Sequence, residues 1–242
     1  MRGILLLTQA EINRLRRNRR YLLFTVGLPV VLYLIFSKAG KTVYGINFAA
    51  YYMVAMATFG AFAGALNGNA IRISEERKVG WIRQLRLTPL LPAYAYVIAK
   101  ILTSMAMTVV SIAAVLLLGR FEGGVHLALW QWLVIAVIIW LGSTIFAALA
   151  VAVGYRYPPD QAQPITLMLY LVFSILGGIW FPFTGVMGNI SKGTPTFEAI
   201  TISTDVISNV SVPFYLILGL VAWLATFAAL ATLSVRSMAE TV

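Results

Sequence analysis

Cysteine is absent from this sequence and histidine occurs once, at His126, which excludes two common kinds of site. Without thiols there is no disulfide and no thiolate metal centre, and one imidazole cannot build a multi-histidine metal site within one chain. Acidic residues are also scarce, with 8 Asp and Glu against 18 Lys and Arg. None of the acids lies inside the long apolar stretches. Proton- or sodium-coupled carriers usually need such an acid or a broken-helix ion site, so secondary transport is disfavoured.

Charged residues of either sign make up only 11% of the chain, whereas hydrophobic residues make up 60%. Soluble domains carry roughly 25% charged residues. The apolar runs are long and continuous and do not alternate with a period of two, which favours helical spans over a barrel. We therefore predict an all-α integral membrane protein with a single transmembrane domain over residues 1–242.

The net charge of +10 is explained by basic residues at one membrane face, and nucleic-acid binding is not needed to account for it. Six transmembrane helices are predicted, at about residues 21–37, 46–70, 93–118, 130–154, 164–180 and 212–235. Lys38, Lys41, Arg120 and Lys192 would then be outside, and the other 14 of the 18 basic residues would be cytoplasmic. This asymmetry predicts cytoplasmic termini, although an odd number of spans would weaken it only slightly.

Three further features accompany the spans. Leu5, Thr8, Ile12 and Leu15 share one helical face, with most arginines elsewhere, which predicts an N-terminal helix in the cytoplasmic interface. A nucleic-acid-binding arm is the alternative.

Pro29 should kink the first span. Residues 181–211 are too polar to cross lipid but contain many apolar side chains, which predicts one or two short re-entrant helices at the outer interface.

The longest inner loop runs from Arg72 to Pro89 and carries charges of both signs. Within it, Val79, Ile82 and Leu85 recur at helical spacing with Trp81 beside them, which predicts a short amphipathic helix. Thr88-Pro89 should end it. The loop either lies on anionic lipid as a topology signal or is presented to a cytoplasmic protein.

Small and polar residues mark the second and third spans. Gly60, Gly64 and Gly68 repeat every four residues, which allows close helix approach and favours packing within the same subunit. Asn67 would be costly facing lipid and is expected to face protein or a water-filled cavity. Lys100 lies about two turns into the third span and is expected to snorkel to the cytoplasmic surface.

Aromatic, sulfur-containing and polar side chains in the second and fifth spans are candidates for a substrate pathway. Such a mixture suits an adaptable hydrophobic substrate, although ordinary span packing explains each residue equally well. The candidates are Tyr52, Met56, Phe59, Asn67, Met168, Tyr170 and Phe173.

No nucleotide-binding loop is present in the sequence. Gly40-Lys41-Thr42 has Ile35 where a phosphate loop needs its first glycine, and it falls on the outer side. The chain is thus expected to be non-catalytic and to depend on an energy source supplied from the cytoplasm.

The segment from Ile73 to Leu90 resembles the cytoplasmic loop of ABC-2 type transporter permeases. It has an acidic-basic entry, then Gly80, Leu85-Arg86 and Thr88-Pro89, with Lys100 downstream. The six-span outline is similar as well. One departure is the stretch after Phe181-Pro182, which is richer in Thr, Ser and Gly than the Leu/Pro-rich form typical of the family, and this leaves its helix boundaries open.

The resemblance implies that two permease subunits, identical or paralogous, form the pore and that two separate cytoplasmic ATPase subunits bind ATP and Mg²⁺. This chain would hold no cofactor. The helix from Glu75 to Leu87 would be the coupling helix, with Trp81, Ile82 and Leu85 as its apolar anchor. The candidate coupling residues are Glu75, Glu76, Arg77, Lys78, Gly80, Trp81, Ile82, Leu85 and Arg86.

The resemblance also implies a place and a class of substrate. The chain would lie in the bacterial plasma (inner) membrane and export hydrophobic drugs, antibiotics or lipid-like molecules. Two alternatives stay open: the permease of a lipid-linked polysaccharide exporter, and a membrane anchor or sensor subunit that transports nothing.

Overall fold

The computed structural model describes residues 2–16, 19–43, 45–86 and 95–239. Helices dominate these residues, and a two-stranded antiparallel hairpin, β1 (Thr42–Val43) and β2 (Ile46–Asn47), joins the third helix to the fourth. The helices are α1 (Arg2–Arg16), α2 (Arg19–Leu22), α3 (Leu28–Phe36), α4 (Phe48–Lys78), α5 (Trp81–Arg86), α6 (Ala95–Phe121), α7 (Leu129–Arg156), α8 (Pro159–Leu176), α9 (Gly185–Ser191), α10 (Pro195–Ile207) and α11 (Phe214–Ala239).

Helices lie at all six predicted span positions. Four of them, α4, α6, α7 and α11, are long and apolar enough to cross a membrane by length and composition. The first position holds only a shorter apolar helix, Thr25–Phe36, and α8 has 18 residues with a polar first turn. The mostly helical fold is therefore confirmed, with four helices of membrane-spanning length, while six spans stay a prediction.

The central element is α4, whose apolar stretch is apolar on all sides and almost entirely buried. It packs against α3, α6, α7, α8 and α10, as expected for a helix without a polar face. In contrast, α11 packs mainly along α7 and leaves most of its apolar surface exposed. The core thus surrounds α4, and the periphery is apolar enough to face lipid.

The first hydrophobic segment changes its helical form just before Pro29. Residues Leu23–Gly27 form a π-helical turn between α2 and α3. Proline has no N–H to donate to the carbonyl four residues earlier, which is that of Thr25. The Ser111 hydroxyl on α6 donates to this carbonyl at 2.8 Å, so the group is satisfied within the bundle.

The glycine stripe of α4 is where this first segment packs within the same chain. A Cβ atom at Gly60 would lie 2.7 Å from Cγ of Pro29, and one at Gly64 would lie 2.5 Å from Cγ2 of Thr25. At Gly68 a Cβ atom would collide with the ring of Tyr21. The three glycines allow two helix backbones to approach more closely than any side chain would permit.

The stretch before α11 forms two short helices, α9 and α10. The Thr194 hydroxyl accepts a hydrogen bond from the Phe197 N–H at 3.3 Å and so caps the start of α10. At the other end, the Gln131 side-chain amide of α7 donates to the Val206 carbonyl at 2.8 Å. α10 packs against α4, α7, α8 and α11, so it is part of the bundle core.

Candidate coupling site

The prediction of a separate helix from Glu75 to Leu87 is wrong about where that helix begins. Glu75 to Lys78 form the last turn of α4, and α5 begins at Trp81. No glycine or proline interrupts residues 69–79, so the long helix continues until Gly80, whose φ of +76° reverses the chain. The Gly80 N–H donates to the Arg77 carbonyl at 3.1 Å and closes the turn. Thr88-Pro89 lies outside the described residues.

Glu76 points into the protein from the last turn of α4. Its Oε1 accepts hydrogen bonds from Nζ of Lys100 at 2.7 Å and from Nη1 of Arg14 at 3.0 Å. Its Oε2 accepts one from the Tyr96 hydroxyl at 2.6 Å. One carboxylate thereby connects α4 with both α6 and α1.

A second acid, Glu11 on α1, completes the cluster. Its Oε1 lies 2.9 Å from Nζ of Lys100, and its Oε2 accepts a hydrogen bond from Nη1 of Arg72 at 3.0 Å. Arg72 is fixed in turn, because it donates to Oδ1 of Asn69 and to the carbonyl of Gly68, both at 2.7 Å. We call Glu11, Arg72, Glu76 and Lys100 the inner ion network.

The inner ion network has two acids and two bases that are largely removed from solvent, and the exposed Arg14 adds a third base at its edge. Buried charges persist only when they are paired and hydrogen-bonded, and that condition is met here. Lys100 is 1% exposed, so the expectation that it would snorkel to the surface is wrong. Its ammonium has two carboxylates within 3 Å, which compensate its charge at this buried position.

Glu11 is the member of the inner ion network that sequence reasoning missed. It shares the buried face of α1 with Leu15, while Arg14 is largely exposed. This face packs against α6. A lone acid among the arginines of residues 1–20 was the available signal, but its partner Arg72 lies 61 residues away, a distance that helical periodicity cannot bridge.

The short helix α5 has its apolar residues on two sides. Ile82 is buried and Leu85 is partly buried, against a cluster that includes Ile73, Tyr96 and Val151. A common outward anchor of Trp81, Ile82 and Leu85 is therefore wrong for Ile82, because its side chain already packs inside this chain. Val79 and Trp81 do face outward, with exposures of 75% and 41%. We call these two residues the apolar tip.

The remaining predicted coupling residues are likewise partly exposed and partly engaged within this chain. Glu75 and Lys78 are exposed beside the apolar tip. The Arg77 guanidinium instead donates to the carbonyls of Tyr155 and Tyr157, the latter at 2.8 Å, at the end of α7. Arg77 thereby fixes the end of α4 to the end of α7, in addition to the contacts with α1 and α6. The side chain of Arg86 lies outside the described part of the chain.

The predicted pathway residues do not form one surface. Tyr52, Met56, Phe59 and Tyr170 are buried in the core, and the Tyr170 hydroxyl donates to the Phe59 carbonyl at 2.9 Å. Asn67 is partly buried. A substrate pathway lined by these side chains stays a prediction, although in the single chain most of them pack in the core around α4.

The two other candidates on α8 lie apart. Met168 is 68% exposed, whereas Phe173 packs edge-on against Phe146 and Trp223. Met168 is thus the most exposed of the candidates.

Residues 2–192 match the family model of the ABC-2 type transporter. The chain belongs to the ABC-2 type transporter family. It is also 27% identical, over 223 residues, to a protein of Bacillus subtilis (strain 168) named "Putative transport permease YvfS", and the alignment covers 90% of this chain and 91% of that protein. The predicted family is confirmed, and with it the role of a transporter permease.

Membership of this family bears on how the inner ion network and the apolar tip are interpreted. ABC-2 type permeases generally work with ABC ATPase partners. The end of α4 provides an exposed apolar tip directly beside a buried network of charges.

Proposed function

We propose that this permease is the membrane-spanning subunit of an ATP-driven exporter and that a cytoplasmic ABC ATPase docks on its apolar tip. The observation that carries the proposal is the adjacency of Val79 and Trp81, both exposed, to Glu76 in the inner ion network. Tryptophan is among the residues that most often dominate protein interfaces. Glu75 and Lys78 beside it would set the register of docking.

The mechanism follows from the stiffness of this end of the molecule. α4 is a continuous helix of 31 residues, about 46 Å long at ~1.5 Å per residue. Separating one partner of a buried ion pair costs about 3–5 kcal/mol, so α1, α4 and α6 should move together at this level. Motion of the ATPase against the tip would then be transmitted along α4 to the centre of the bundle.

The substrate pathway in this proposal lies between two permease subunits and not inside one. The exposed face of α8 carries Leu167, Met168, Leu171, Val172 and Ile175, which line a groove of about 530 Å³. Two such faces, from two copies or from a paralogue, would enclose a hydrophobic path. Two ATPase subunits would dock below them, and both termini would lie in the cytoplasm of a bacterial cell.

The character of this groove favours one substrate class. Its lining is aliphatic apart from one methionine, Met168, and contains no aromatic residue among those described. Aliphatic and Met side chains adapt to varied apolar molecules, whereas sugars are usually held by stacking on aromatic rings. Hydrophobic drugs, antibiotics or lipid-like molecules are therefore favoured over a glycan.

The test is to co-express the permease with ABC ATPases of its source genome, taking the neighbouring genes first, and to measure copurification and substrate-stimulated ATP hydrolysis. Trp81→Ala should insert normally and lose association by about 2 kcal/mol or more, roughly thirtyfold in affinity. Trp130→Ala is the matched control, because Trp130 is exposed at the far end of α7. Undiminished association of Trp81→Ala would refute docking at the tip, and a permease with no ATPase partner would point to an anchor or sensor.

A further inference from the structure

A groove of about 580 Å³ runs between α6 and α7, away from the coupling site and from the exposed face of α8. Its walls are apolar along their whole length, and the one charged group among its lining residues is the guanidinium of Arg120 at the end of α6. Representative lining residues are Ile112, Leu116, Trp132, Leu133, Trp140 and Arg120.

Local structure explains why the groove stays open. Ala113 on α6 and Ala136 on α7 both line it, and their small side chains leave the space between the helices unfilled. Its inner end is closed by Trp140, whose indole N–H donates to the Met105 carbonyl of α6 at 2.9 Å. The groove is thus a bounded slot and not a continuous seam.

The length of the slot corresponds to one membrane leaflet. Its lining on α6 runs from Val109 to Arg120, about 17 Å at ~1.5 Å per residue. Half of a ~30 Å hydrocarbon core is about 15 Å. In the proposed topology Arg120 lies at the outer surface, so the slot spans the outer leaflet and its charged end lies at headgroup level.

Arg120 is available to an anion at this position. It is exposed, it contacts Nδ1 of His126, and no described carboxylate lies within ion-pair distance of it. Glu122 follows two residues later and is exposed on the loop. A guanidinium presents several N–H donors in a planar fork that matches a phosphate group.

We propose that this slot binds an anionic phospholipid of the outer leaflet, with an acyl chain between α6 and α7 and the headgroup phosphate on Arg120. A second copy of the chain is a poorer occupant. In a two-fold assembly about the membrane normal, a contact through this slot would bring both Arg120 residues together at the same depth. The inference rests on the orientation given under the proposed function.

The experiment uses the complete permease in phosphatidylcholine vesicles that contain brominated phosphatidylglycerol or brominated phosphatidylcholine at equal mole fractions. Bromine quenches tryptophan on contact, and Trp132 and Trp140 line the slot. Half-maximal quenching should need about fivefold less of the anionic lipid, which corresponds to the ~1 kcal/mol attraction of one arginine for anionic lipid. Equal quenching by both lipids would overturn the proposal.

Three variants locate the effect. Arg120→Gln should remove the preference for the anionic lipid, whereas Lys192→Gln, which removes an outer cation outside the slot, should keep it. Ala136→Phe should fill the slot and reduce quenching by both lipids without changing the oligomeric state. Loss of the native oligomer in Ala136→Phe, or an unchanged preference in Arg120→Gln, would contradict lipid binding here.

A fourth variant tests the membrane orientation of the slot independently of lipid binding. The chain has no cysteine, so Glu122→Cys provides a single thiol beside Arg120. If an impermeant thiol reagent labels Glu122→Cys in intact cells, the slot lies on the outer side. If it does so and the quenching experiment shows no preference for the anionic lipid, the lipid site alone is refuted. Labelling only after permeabilisation refutes the orientation and the proposal with it.

Discussion

Glu198 is buried on the first turns of α10, outside the predicted spans, and is 6% exposed. Among the described residues its Oε2 has no hydrogen-bond partner, and any side chain at Gly219 of α11 would collide with its carboxyl group. Burial raises the pKa of Glu198 to about 7, because the charged form loses its hydration. A carboxyl group in such a place favours the neutral state.

The pH dependence of unfolding should reveal this group. Between about pH 4.5 and 7 the unfolded chain ionises at Glu198 while the folded protein keeps the proton, so stability should fall as pH rises and level off above pH 7. The effect is bounded at about 3–4 kcal/mol, since one pKa unit corresponds to about 1.4 kcal/mol.

Thermal unfolding in detergent from pH 4.5 to 8 measures that slope. Glu198→Gln should flatten it, whereas Glu75→Gln, at an exposed acid, should leave it unchanged. A slope that is identical in Glu198→Gln and the parent would show that other groups cause it.

Lys100 shows how much a single buried charge can matter. Lys100→Met removes the cation shared by Glu11 and Glu76 and should destabilise the fold by about 3–5 kcal/mol. Folded yield and resistance to denaturing detergent are the measurements, with the exposed Lys78→Met as the control. Equal yields from the two variants would mean that the network contributes nothing to folding.

At the scale of elements, the helices could be predicted and the long-range ion pairs could not. Continuous apolar length located α6, α7 and α11 to within a few residues, because a helix is the structure that satisfies its own backbone in lipid. The end of α4 was misplaced because charged residues were assigned to a loop, although Glu, Arg and Lys are good helix formers. The pairing of Glu11 with Lys100 depends on tertiary packing, which one sequence does not display.

The turn at Gly80 is the joint between α4 and the apolar tip. Its φ of +76° is unfavourable for residues with a Cβ, at a cost of about 1–2 kcal/mol, although the space around it is open. Gly80→Ala should therefore reorient α5 and weaken ATPase copurification. Gly80→Asn is the matched control, because asparagine tolerates this conformation far better. Equal losses in both variants would indicate a steric effect and not a backbone one.

At the scale of the whole molecule, the arrangement is a buried central helix with apolar surfaces at its edges. α4 holds the core, the inner ion network joins three helices at one end, and α10 closes the bundle at the other. Charge is confined to the ends, which the positive-inside asymmetry of the sequence indicated. Whether α8 crosses the membrane decides on which side of it α9 and α10 lie.

The last prediction is that α8 crosses the membrane. Its 18 residues span about 27 Å, slightly less than a ~30 Å core. Gly177 directly follows the helix and packs closely against Thr196 of α10. In the cysteine-free chain, Lys192→Cys should then react with an impermeant thiol reagent in intact cells, as should Lys41→Cys, while Arg156→Cys should react only after permeabilisation. If Lys192→Cys also reacts only after permeabilisation, both ends of α8 lie on the cytoplasmic side. Neither six spans nor an outer position of α9 and α10 can then be right.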